Sequence, residues 1–197
     1  MSSSSALWRS ARPAERVSYA TGGVLILSGL AHLLVFAVDG GPWEGPVSWR
    51  KPVTFGLSFG LTLIAVVWVT SYLRMGAGLR TALLVLFAAD CVLEVGGITL
   101  QAWRRVPSHL NMETGFDSAV SMSLAVGGGI LVVLLSAFAI ASFRHRPGGP
   151  TGMPLALRSG FAVLSWSEPT RERVMTAAVG CYVVAVLGAG AWALVTY

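Results

Sequence analysis

Long apolar stretches separated by arginines constrain this chain more than any other feature. Residues 17–38, 53–72 (after the Pro52 boundary), 81–103, 116–143 and 174–196 are each close to the roughly 20 residues that a bilayer core requires of a helix. Hydrophobic residues make up 54% of the chain and charged residues 12%, too little polar surface to cover a soluble core. The expected fold class is all-α, a polytopic transmembrane helical bundle of about five spans. A further apolar stretch, 153–166, has only about 14 residues and carries Arg158 near its middle. It reads as a short interfacial or re-entrant segment. The expected organisation is a Ser-rich, then basic, N-terminal tail over residues 1–16 and a single transmembrane domain over 17–197. The first span lacks a small-x-small cleavage site, so it reads as an uncleaved helix and not a signal peptide.

The net charge of +5 does not point to nucleic acid, because the arginines flank apolar runs instead of forming one basic face. With five spans, Arg9, Arg12, Arg16, Arg74, Arg80, Arg144, Arg146, Arg158, Arg171 and Arg173 share one side. Arg50, Lys51, Arg104 and Arg105 lie on the other. That bias predicts a multi-pass protein of the cell membrane with its N-terminus in the cytoplasm. Cys91 and Cys181 lie inside apolar runs with no CxxC spacing, and read as small packing residues.

Asp90 and Glu94 are the strongest chemical signal. They stand four residues apart, one helical turn, with Gly97 and Gln101 within about 40° of the same face. A carboxylate in hydrocarbon costs about 2.5–3.5 kcal/mol on insertion scales, so the pair should look into the bundle. A carboxylic acid carried there in its neutral form is a candidate proton donor. The bland alternative is hydrogen bonding or ion pairing to neighbouring helices. Gly97 leaves room beside the acids for a ligand or another helix.

Two connecting stretches, DGGPWEGPVSWRKP (39–52) and QAWRRVPSHLNMETGFD (101–117), are dense in hydrogen-bonding and aromatic side chains. An aromatic belt with snorkelling cations explains Trp49 and part of the arginines. It leaves Ser108, His109 and Asn111 unexplained, and a polar lid over a pocket would account for them. Phe55 and Phe59, at i and i+4, could shield a cation or simply pack. His32, alone in its span, suits a hydrogen bond to another helix better than haem ligation. Gly127, Gly128 and Gly129 suggest a close helix approach or a bend.

No nucleotide loop, HExxH, GxSxG or aspartate-rich magnesium motif is present, so the expectation is no metal and no cofactor. WRKPVTFGLSFG (49–60), Glu94 and QAWRRVPSHLNMETGFD resemble a family of small bacterial membrane proteins with W-x-K-P-x-x-F-x-L-S and Q-x-x-R-x-x-x-S-H-x-N elements. The likeness covers spans two to four, and the part after Phe143 departs from it. In its intramembrane acids without metal motifs the chain also resembles the membrane-bound terpene cyclases of actinobacterial indole-terpenoid pathways, the drimentine type.

That second resemblance implies proton-initiated cyclisation of a lipophilic prenylated small molecule drawn from membrane lipid. Asp90 or Glu94 would donate the proton, and His109, Asp117 or the second acid would take the last one. Trp49, Phe55 and Phe59 would line the substrate with Gln101, Arg104, Ser108 and Asn111. A proton-coupled transporter using the acid pair and a quinone- or haem-binding redox protein using His32 and His109 are the rival readings. About five spans without repeats is small for a transporter, so the transport reading would call for an oligomer.

Overall fold

Four helices organise the computed structural model, which describes residues 11–73 and 75–144. They are α1 (Pro13–Asp39), α2 (Arg50–Thr70), α3 (Ala77–Trp103) and α4 (Gly115–Arg144). All four are long and apolar enough to cross a membrane, and no strand occurs among the described residues. The fifth expected span, 174–196, and the 153–166 segment lie outside the described residues.

Local chemistry sets the helix ends. Pro13 opens α1, where a missing N–H costs nothing. The helix therefore starts inside the stretch assigned above to the tail. Glu15 caps it by accepting from the Arg12 backbone N–H at 3.0 Å, and its other oxygen meets Arg80 Nη2 at 2.7 Å. One carboxylate thus ties the starts of α1 and α3 together. Gly40 ends α1 in the left-handed region, φ 62°, donating to Phe36 O. α2 begins at Arg50, before Pro52 and not after it. Pro52 sits in the first turn, where backbone N–H groups have no intrahelical acceptor.

The helices pack through small residues, as expected where lipid supplies no hydrophobic drive between them. Gly22 and Gly29 of α1 face Gly60 and Gly56 of α2 at backbone contact. A Cβ on Gly56 would lie 2.8 Å from Gly29 Cα, and one on Gly60 would lie 2.6 Å from Gly22 O. α3 packs on both of these helices, and α4 packs chiefly on α3. Leu63, Val67, Leu84, Phe87, Cys91, Ile98 and Phe138 are fully buried between them.

Gly56→Ala should therefore destabilise the bundle by about 1–3 kcal/mol through overpacking, although alanine is the better helix former. Gly78, whose Cβ position is open, provides the control. Thermal unfolding in detergent should show a lowered midpoint for Gly56→Ala and none for Gly78→Ala.

Candidate functional site

Asp90 and Glu94 project from the middle of α3 towards α4 and are 7% and 3% exposed. The room for them is made by Gly127. A Cβ there would stand 2.5 Å from Glu94 Oε1 and 2.9 Å from Asp90 Oδ1. The backbone of α4 thus closes over the acids, and any larger residue would push them aside. A Cβ on Gly128 or on Gly129 would meet open space, so of the three only Gly127 needs to lack a side chain. Asp90 Oδ2 and Glu94 Oε1 are buried without a hydrogen-bond partner. Unpartnered buried oxygens are costly in a neutral carboxyl and more so in a charged one.

Apolar layers bound the pair along the α3–α4 seam. On the side of the 101–117 connection, Leu124 (2% exposed) fills the space beside Gly97. A Cβ on Gly97 would meet Leu124 Cδ2 at 2.9 Å. On the other side Phe87 and Phe138 meet edge to face with centroids 6.4 Å apart. Sideways, Asp90 opens into a cleft of about 320 Å³ walled by Leu93, Met122, Val126 and Ile130. These four side chains lie on the bundle surface, so the cleft faces where lipid would be.

A second polar cluster closes the end of the bundle that carries Trp49 and Trp103. Thr114 caps α4, accepting from the Asp117 backbone N–H at 3.1 Å and donating to Asp117 Oδ2 at 2.6 Å. Asp117 Oδ1 accepts from Gln101 Nε2 at 3.0 Å and pairs with Arg104, which also reaches Gln101 Oε1. Arg104 in turn lies over the Phe116 ring at 4.7 Å. Asp117 is buried and holds three side-chain donors, which suits positioning of Arg104 better than proton transfer.

Ser121 pins the same connection to α4. Its hydroxyl accepts from the Asn111 backbone N–H at 3.1 Å and faces Asn111 O at 3.1 Å. Asn111 Oδ1 accepts from the Glu113 N–H, while its Nδ2 is buried without a partner. Ser108 Oγ lies 2.9 Å from His109 Nδ1, and the His109 ring faces Phe55 at 6.5 Å. Burial, and then the Lys51 ammonium, hold the His109 pKa below its usual value.

Aromatic side chains form a third group. Trp49, Trp103 and His32 cluster with centroids 5.2–6.2 Å apart. His32 Nε2 accepts from Trp103 Nε1 at 3.1 Å, and Nδ1 is 2.7 Å from Ser28 O. Both ring nitrogens are engaged, as a helix-linking histidine requires. Phe55 and Phe59 stack on one another at 5.6 Å. With α2 and α3 level at the Trp49–Trp103 contact, a rise of about 1.5 Å per residue puts Phe59 and Glu94 at similar depth.

The residues singled out in the sequence therefore fall into two groups. Asp90 and Glu94 stand together in mid-span. Gln101, Arg104, Ser108, His109, Asn111 and Asp117 lie beyond Leu124, with Trp49 nearer the α1 side of that end. None of Trp49, Phe55 and Phe59 is among the residues lining the Asp90 cleft. Thr114, Ser121 and Leu124, none of them candidates on sequence grounds, complete the two groups, and Asp39, equally unmarked, accepts from Trp49 Nε1 at 2.7 Å on the α1 side. Only Thr114 carried a local signal, three residues before the acid it caps. Among the described residues no group of three His, Cys, Asp or Glu side chains could hold a metal ion.

Two measurements check this geometry. Lys51→Met should raise the His109 pKa, seen by NMR, without carrying it past the ordinary histidine value, since burial remains. Dicyclohexylcarbodiimide, which partitions into lipid, should modify Asp90 or Glu94, whereas a water-soluble carbodiimide should not. Leu124→Ala should admit the water-soluble reagent; equal labelling of the wild type by both would show that Leu124 is no seal.

No family model, curated protein or solved structure matches the chain.

Proposed function

We propose that this protein is an integral-membrane terpene cyclase that performs proton-initiated isomerisation of a lipophilic, prenylated small molecule. We place it in the cell membrane with its N-terminus in the cytoplasm, on the arginine distribution. One observation carries the reading: two buried carboxyls with unpartnered oxygens stand together, and one of them, Asp90, lines a largely apolar cleft that also holds Ser123.

The chemistry follows from that arrangement. A prenyl tail would enter the α3–α4 cleft from the bilayer. The protonated acid of the pair gives its proton to the terminal alkene carbon, leaving a tertiary cation. An internal alkene attacks that cation, forming the ring carbon–carbon bond and moving the charge inward. The carboxylate of the pair then takes a proton from the neighbouring carbon, forming the product alkene. The net change is an isomerisation, and the proton is returned. Cations of this kind need a dry site, and Leu124 on one side with Phe87 and Phe138 on the other support water exclusion. The depth of Phe59 supports a part in shielding the charge. The second acid is the better final acceptor, because His109 and Asp117 stand beyond Leu124.

The rivals fit this geometry less well. A proton path across the membrane would have to pass both apolar layers, and haem ligation by His32 would cost its two hydrogen bonds.

The test is expression in a host supplied with linear prenylated indoles or farnesyl-type acceptors, followed by mass spectrometry of extracts. A product of equal mass and changed retention is expected. Asp90→Asn and Glu94→Gln should each lower its formation by about 100-fold or more, the scale of lost general acid–base catalysis. Cyclisation undiminished in both variants, or absent with folded wild-type protein, would overturn the proposal.

A further inference from the structure

A second cleft lies on the opposite side of α3 from the acid pair, between the last turns of α1 and α3. It measures about 700 Å³, within the range of small-molecule sites. Leu34, Val35 and Val38 form one wall, and the indoles of Trp49 and Trp103 form the other. Its polar groups are Asp39 and Arg105, joined by a bond of 2.8 Å from Arg105 Nη2 to Asp39 Oδ1. Trp49 Nε1 donates to Asp39 Oδ2 at 2.7 Å and so fixes the carboxylate. Arg105 sits in the left-handed region, φ 56°, a conformation that costs a residue with a side chain about 1 kcal/mol. The chain reverses there through Val106 N–H to Gln101 O at 3.1 Å, leaving the Arg105 guanidinium against Asp39.

The ion pair retains capacity of both signs. A carboxylate offers about four acceptor positions and a guanidinium five N–H donors, and the bonds named here use two and one of them. The Asp39 and Arg105 side chains are 29% and 59% exposed, so these positions are reachable. A purely anionic head would meet Asp39, and a purely cationic one would meet Arg105. A zwitterion satisfies both. The helix ends place the pair where lipid headgroups sit, with aliphatic side chains extending from it along α1.

We propose that this cleft binds a zwitterionic aminophospholipid, its primary ammonium on Asp39, its phosphodiester on Arg105 and an acyl chain against Leu34, Val35 and Val38. A primary ammonium donates hydrogen bonds to a carboxylate; the quaternary ammonium of a choline lipid has no N–H to donate. The head group, not the chain, therefore sets the preference. The site is independent of the acid pair, and the cyclase reading stands or falls separately.

The experiment is native mass spectrometry of the full chain in detergent, with phosphatidylethanolamine, phosphatidylcholine and phosphatidylglycerol of identical acyl chains. Phosphatidylethanolamine should bind about tenfold more tightly than either of the others, the scale of one charge-assisted hydrogen bond. Asp39→Asn, which keeps an acceptor for Trp49, should remove its advantage over phosphatidylglycerol. Arg105→Gln should weaken binding of all three. Equal binding of the three lipids by the wild type, as from a non-selective lipid ring, would overturn the proposal without any variant. A preference that survives both substitutions would overturn it equally.

Discussion

Two carboxyl groups cannot be left facing hydrocarbon, and the α3–α4 pairing is the answer this chain gives to that constraint. At a cost of about 2.5–3.5 kcal/mol each when exposed to lipid, Asp90 and Glu94 fix which face of α3 must be covered. Gly127 lets the α4 backbone come within contact distance of both. The same register then sets Leu124 on Gly97 and brings Asp117 to Gln101 and Arg104. Helix α4 is thus held by one sequence of contacts, polar at the end and apolar in between, with the acids in mid-span. Burial lowers the cost of the acids without cancelling it, since each keeps an oxygen without a partner. A pair of apolar residues at these positions would avoid that cost.

The opposite side of that same end of α3 does a different job. Trp103 reaches α1 through His32, Arg105 reaches it through Asp39, and Trp49 joins α2 to the same carboxylate. Neutral hydrogen bonds of this kind contribute about 1 kcal/mol each, more where one partner is charged. Together with the Glu15–Arg80 ion pair at the opposite end, they fix the relative height of three helices that otherwise meet through glycine and aliphatic contacts. Without such fixed heights, α1 and α2 could slide along their glycine seam, and the depth shared by Phe59 and Glu94 would not be defined.

The helices were legible because the bilayer imposes a length, and apolar runs near 20 residues record it directly. The facing of Asp90 and Glu94 was legible for a related reason, since spacing of four residues fixes a shared face. What could not be read was partnership across long separations. His32 and Trp103 are 71 positions apart and Asp39 and Arg105 are 66 apart, and nothing local marks either pair. The site expected as one cluster is two because a helix rises about 1.5 Å per residue. Gln101 shares the face of Asp90 but stands roughly 16 Å along the axis from it. A helical wheel collapses that distance, and Leu124 occupies it. The room beside Gly97 was anticipated, but only the structure shows that a neighbouring helix fills it.

The separation of the two polar groups also bears on mechanism. A relay that moves protons across a membrane needs an unbroken line of exchangeable groups, with water where side chains do not reach. Here the acids are isolated on both sides along the α3–α4 seam, by one leucine and by a pair of phenylalanines. The proposed cyclisation would use that isolation, since its proton is lent and recovered in a single turnover. In the proposed reaction, the placing of Ser108, His109 and Asn111 beyond Leu124 would also keep their polar groups away from a cationic intermediate. Under that proposal the lateral cleft beside Asp90 would be the route by which a lipid-dissolved substrate meets the acids.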